Sequence, residues 1–101
     1  MTLKTTPYNP FDYLETQEEI NEYLTDAFQD DDPRLFVVAL GYLAKKKGMT
    51  SVAKKTGLNR ESLYRALSEN GNPKFATISK VSKALGCKFA VASNQITKKR
   101  K

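Results

Sequence analysis

Apolar side chains return at helical spacing through most of the chain. Ile20, Tyr23, Leu24, Ala27 and Phe28 follow the i, i+3, i+4, i+7, i+8 progression of one buried helical stripe. Thr16, with Glu19 three residues later, carries the signature of a capping box, and acids crowd the first turns where the helix dipole favours them. Asp30, Asp31 and Asp32 stop the pattern, and Pro33 suits the first position of a second helix, where its missing N–H is no loss. The run LFVVALGYLA, from Leu35 to Ala44, is apolar nearly all round and predicts a central helix covered by its neighbours. Inside it Gly41 costs about 1 kcal/mol relative to alanine, which predicts that another helix crosses closely there. Lys45, Lys46 and Lys47 occupy the last turn, where the dipole favours cations, and Gly48 ends the helix.

Two shorter segments follow, TSVAKKTG and LNRESLYRALSE, which predict two helices joined by a tight turn. Asn59 caps the second of them, and Gly57 supplies the positive φ of a sharp turn. After the loop ENGNPK, Thr77 is the expected cap of a fifth helix whose stripe is Ile78, Val81, Ala84 and Leu85, closed by Gly86. An all-α, five-helix domain results. At the ends, Phe11, Tyr13 and Leu14 read as a short strand or an anchor behind a Pro-containing lead-in, and CKFAVA, residues 87–92, as a short edge strand. The organisation expected is an acidic arm and first helix over residues 1–32, within the same domain as a helical part over 33–92, then a flexible basic tail, 93–101, ending KKRK.

Composition narrows the function classes. A chain of 101 residues has room for one domain, and 40% apolar with 28% charged residues is an ordinary balance for a folded one. No apolar run approaches the ~18 residues of a membrane span, and the N-terminus has no signal-peptide succession, so the expected location is inside the cell with no membrane partner. Histidine is absent and Cys87 is the single cysteine, which removes the usual general base, the commonest metal ligand and any internal disulfide. Cys87 reads as a small buried hydrophobe. No enzyme, cofactor or metal is therefore expected.

The net charge of +6 conceals a segregation. Residues 1–32 hold nine acids against Lys4, a net −8, whereas sixteen lysines and arginines stand against Glu61 and Glu69 from Pro33 onward, a net +14. A basic field of that size suits a polyanion, because each phosphate contact releases condensed counterions. A merely solvated surface is the alternative, and placement decides between them.

Placement favours nucleic acid. Two helices at a steep angle need a small residue at their crossing, a residue tolerant of positive φ in the turn and hydrophobes that lock the second helix; Ala53, Gly57 and Leu63 supply these, supported by Val52, Leu58, Ala66 and Leu67. That is a helix-turn-helix pattern over about residues 49–68, which makes 33–92 the expected DNA-binding part. Around the second helix Leu63, Ala66 and Leu67 share one side, while Glu61, Arg65 and Ser68 fall opposite and Arg60 stands at the first turn. The stretch GMTSVAKKTGLNRESLYRALSENGNPKFATISKVSKALG resembles the Cro and lambda-repressor type of helix-turn-helix. More narrowly, LNRESLYRALSENGNPKFATISKVSKALG and the preceding helix pair resemble the probable addiction-module antidote proteins.

The resemblance implies a Cro/lambda-repressor-like fold and an antitoxin of a type II toxin–antitoxin operon, which binds a small RNase-like toxin and represses its own promoter as a homodimer on double-stranded operator DNA. A stand-alone phage-type repressor without a toxin is the alternative. Carried onto this chain, the base-reading positions are Arg60, Glu61 and Arg65, with Ser62 beside them. Arginine can grip guanine O6 and N7, and a carboxylate can accept from cytosine N4. The phosphate glutamine common at the start of the preceding helix has no match, since Met49 stands there, and Thr56 fills a position usually apolar. Phosphate contacts are therefore expected from Thr50, Ser51, Lys54, Lys55, Tyr64, Asn70, Asn72 and Lys74. For the toxin, Glu18, Glu22 and Asp26 on the acidic first helix are the expected contacts. The dimer surface is expected either around Phe89 and Val91 or along Ile78 to Leu85.

Overall fold

In the computed structural model, which describes residues 9–90 and 93, the run Leu35–Ala44 becomes the central helix of an all-helical fold. The described α-helices are α1, Gln17–Gln29; α2, Arg34–Lys47; α3, Met49–Thr56; α4, Arg60–Ala66; and α5, Phe75–Ala84. Helix α2 buries Phe36, Ala39, Leu40, Gly41, Leu43 and Ala44, and the core around it adds Met49, Val52, Leu63, Leu67, Val81 and Leu85 from the later elements. The expected close crossing at Gly41 is present: a Cβ there would lie 2.5 Å from the Leu67 carbonyl oxygen. The chain leaving α4 thus rests directly on α2.

The N-terminal anchor is helical rather than extended. Pro10–Tyr13 forms a 3₁₀ turn, with the Asn9 side chain accepting from the Phe11 N–H and donating through Nδ2 to the Tyr42 carbonyl at 3.0 Å. Phe11, 3% exposed, sits edge-on to Tyr23 with ring centroids 5.2 Å apart. Of the strand or anchor expected from Phe11, Tyr13 and Leu14, the anchor forms and the strand does not, because Asn9 and Pro10 start a 3₁₀ helix as side-chain cap and fixed-φ first residue. The edge strand expected at 87–92 is corrected as well: residues 87–90 hold no regular structure, and 91 and 92 lie outside the described residues, as does most of the basic tail. The domain's all-α class stands, and no strand occurs among the described residues.

Helix starts follow local chemistry closely. Thr16 and Glu19 make both halves of the capping box. Helix α2 begins at Arg34, so Pro33, expected as its first residue, is its N-cap residue, and the Asp32 carboxylate just before it accepts from the Arg34 N–H at 3.0 Å and pairs with the Arg34 guanidinium at 2.9 Å. Asn59 caps α4 by accepting from the Ser62 N–H. Thr77, the expected cap of α5, instead lies inside it, since the helix begins at Phe75 after Lys74. Phe75 and Ala76 are exposed, so the apolar stripe starts one turn later than the helix and cannot mark its beginning.

Helix α1 is a half-buried cover. Ile20, Tyr23, Leu24 and Ala27 pack against the core, but Phe28 stays 64% exposed, a correction to its place in the stripe. It lies at the stripe's edge and meets α2 through Phe36, ring centroids 5.0 Å apart.

Two carboxylates at these helix starts titrate below their ordinary ranges. Glu19 is held down by hydrogen bonds from the backbone N–H groups of Glu15 and Thr16, and Asp32 chiefly by the Arg34 side chain. A depressed folded-state pKa gives stability that is fully present above the unfolded values, 4.5 for Glu19 and 3.8 for Asp32, and that is lost as pH falls through the lower folded values. Thermal melts followed by circular dichroism should therefore show Tm falling below about pH 4. The double variant Glu19→Gln, Asp32→Asn should flatten that fall; an unchanged slope would mean that other groups carry it.

Candidate nucleic-acid interface

The turn between α3 and α4 is built from three residues, each with a distinct task. Gly57 takes a left-handed conformation, φ 74°, and its N–H bonds the Ala53 carbonyl. Leu58 packs against the core, and Asn59 caps α4. Thr56, the polar residue at a position expected to be apolar, has its hydroxyl satisfied: it donates to the Val52 carbonyl at 2.8 Å and accepts from the Leu58 N–H at 3.2 Å. The hydroxyl thus stitches the turn to α3.

Leu63 and Leu67, 1% and 4% exposed, fasten α4 to the core. That leaves Arg60, Glu61, Ser62, Tyr64 and Arg65 on its outer side, all exposed. Their situations differ. Arg60 reaches back to α3, where its Nη1 donates to Thr50 Oγ1 at 3.0 Å, and its guanidinium carbon lies 5.9 Å from the Tyr64 ring centroid. Glu61 and Arg65, four residues apart, form no ion pair with each other. Their functional groups therefore face solvent, while Arg60 is positioned by the helix pair.

Ser62, Arg65, Asn70 and Asn72 line one shallow groove between α4 and the loop behind it. Gly71 holds that loop down: a Cβ on it would collide with the Ala66 and Arg65 carbonyls, so only glycine lets the loop lie this close to the end of α4. Lys74 is exposed at the start of α5, outside this groove.

The phosphate residues expected on α3 are divided between two flanks. Thr50 faces α4 through Arg60, whereas Lys55, about 140° further round at 100° per residue, lines a notch against α5 with Lys80 and Lys83. Ser51 and Lys54 are exposed between them. The sequence also gave no reason to single out Lys45, whose Nζ lies 5.8 Å from the Tyr42 ring and 6.0 Å from the Tyr64 ring. It was legible only as a helix-ending lysine, because its approach to α4 spans nineteen positions of chain. Lys45 adds a cation beside α4.

Glu18, Glu22 and Asp26 are exposed on α1 at four-residue steps, one ridge opposite the helix's packed stripe. Cys87 is half-buried, and burial pushes its thiol pKa up, which suits packing rather than thiolate chemistry. Among the described residues no group of His, Cys, Asp and Glu is placed to hold a metal ion, and no helix is long and apolar enough to cross a membrane.

Fold and surface together define a small all-helical protein with a short, arginine-bearing helix held out by a glycine turn. The chain belongs to the family of probable addiction module antidote proteins, whose family model matches residues 4–93. It is 40% identical over 95 residues to an uncharacterized protein of Haemophilus influenzae (strain Rd), an alignment covering 94% of this chain and 98% of that one. No solved structure matches the chain. Family membership points to antitoxin function and implies a cognate toxin as partner.

Proposed function

We propose that this protein is an antitoxin that also represses its own operon, reading operator DNA through a helix-turn-helix formed by α3 and α4. The observation that carries the reading is the outer side of α4, where Glu61, Ser62 and Arg65 are exposed while Leu63 and Leu67 fix the helix from within. Arg65 and Arg60 supply bidentate donors for guanine, and Glu61 an acceptor for cytosine N4. Thr50, Ser51, Lys54, Tyr64, Asn70, Asn72 and Lys74 flank the helix as phosphate contacts, and Lys45 joins them through its place beside Tyr64. Lys55, on the α5 flank, stands apart from that set.

One short helix covers few base pairs, so two copies reading half-sites ~34–36 Å apart, as a Cro/lambda-repressor-like dimer does, supply the remaining affinity. The toxin in this reading is a basic, RNase-like protein, attracted to Glu18, Glu22 and Asp26 on the −8 N-terminal segment.

Gel shifts on fragments of the protein's own promoter, run through a salt series, test the DNA half. Arg65→Ala should cost about 1–3 kcal/mol and relax preference at one base pair, whereas Lys54→Ala should weaken all sequences alike and lower the salt slope by about one unit. Folded protein that fails to shift its promoter at low ionic strength would refute the repressor reading. Charge reversals at Glu18, Glu22 and Asp26, measured against the toxin, test the other half.

A further inference from the structure

Three phenylalanines meet around the first turn of α2. Phe28 lies near the end of α1, Phe36 near the start of α2 and Phe89 in the segment after α5, with ring centroids 5.0 Å apart for Phe28 and Phe36, 5.6 Å for Phe36 and Phe89, and 6.2 Å for Phe28 and Phe89. Phe36 is buried, yet Phe28 keeps 64% and Phe89 49% of its surface exposed, and Leu35 next to Phe36 keeps 45%. Aromatic rings that touch one another and still face water form a contiguous apolar surface, the kind that marks association. Acids predominate beside it: Asp30 and Asp31 are exposed in the loop between α1 and α2, just past Phe28, against one exposed cation, Lys88, next to Phe89. Asp32 alone of that trio is neutralised, by Arg34.

The patch sits at the opposite end of α2 from Lys45. Phe36 and Lys45 stand about 14 Å apart along α2 at 1.5 Å per residue, and Lys45 is the end that approaches Tyr64.

We propose that Phe28 and Phe89, seated on Phe36, are the apolar anchor on which the basic toxin docks, with Asp30 and Asp31 steering it. This rests on the antitoxin reading above and gives it a site at the start of α2, separate from Arg60, Glu61, Ser62 and Arg65. Charge selects the occupant. Two copies joined patch to patch would bring their own Asp30 and Asp31 together, whereas a basic partner turns the same rim attractive. The two parts of the surface then leave different kinetic marks, since rim charges act on association and buried aromatic anchors on dissociation.

The test uses the full chain and the purified basic protein encoded beside it, with association and dissociation followed by biolayer interferometry. Phe28→Ala and Phe89→Ala should each speed dissociation about tenfold or more while changing association little, with partial recovery in Phe28→Leu and Phe89→Leu. Asp30→Asn with Asp31→Asn should slow association and reduce its salt dependence. Promoter gel shifts should stay at the wild-type level in all these variants, which also reports that they fold. Unchanged dissociation in both alanine variants overturns the proposal while leaving toxin capture intact. A changed sedimentation mass of the protein alone, or a promoter shift lost in a variant that melts like wild type, would make the patch an interface between copies and overturn it too. Wild-type protein that shifts its promoter but holds no toxin would sink the antitoxin reading and this proposal with it.

Discussion

Leu63→Ala is expected to destabilise the protein by about 2–5 kcal/mol, the range for removing a buried leucine side chain and leaving a cavity. Leu63 is 1% exposed and is among the largest fully buried side chains, reaching from α4 into the core that α2, α3 and α5 share. In a domain of this size each kcal/mol lowers Tm by roughly 4–8 °C, so a loss of about 8 °C or more should appear in a thermal melt. The neighbouring exposed position gives the contrast. Ser62→Ala keeps the backbone N–H that Asn59 caps, and should shift stability by no more than about 0.5 kcal/mol. If Leu63→Ala melted like wild type, the seating of α4 on the core described above would be wrong.

The second large effect is at Gly41. By helix propensity alone, Gly41→Ala would stabilise α2 by about 1 kcal/mol. The new Cβ would instead fall 2.5 Å from the Leu67 carbonyl oxygen and 3.2 Å from the Leu67 Cβ, and a backbone oxygen cannot swing aside as a side chain can. Net destabilisation of about 1–3 kcal/mol is expected, as for overpacking of a close-fitted core. Because the strain falls on the exit of α4, weaker promoter binding should accompany it. A rise in Tm would mean that the Leu67 segment yields freely and that the crossing is loose.

Both predictions concern contacts between segments far apart in the chain, and there the sequence and the structure divide their shares. The helices α1 to α4 were legible because their signals are local: a capping box at Thr16 and Glu19, a cap at Asn59, a glycine at Gly57 that only a left-handed turn requires. The start of α5 was not, since its stripe begins after its first turn. Phe28 fits the helical period yet stays in water, because period says which face a residue occupies and not whether anything covers that face. For the same reason alternation at 87–90 did not yield a strand: pairing needs a partner edge, and none exists among the described residues.

The candidate interface divides likewise. The outward set Arg60, Glu61, Ser62 and Arg65 follows from α4's own periodicity, whereas the bond from Arg60 to Thr50, the approach of Lys45 to Tyr64 and the separation of Lys55 from Thr50 do not. Sequence alone determined the helical class, most helix ends and the segregation of charge, since these depend on residues within a few positions of one another. Tertiary structure decided which lysines share a flank and where three aromatic rings converge, because those depend on how helices cross, and no local pattern encodes a crossing beyond the small residue that permits it.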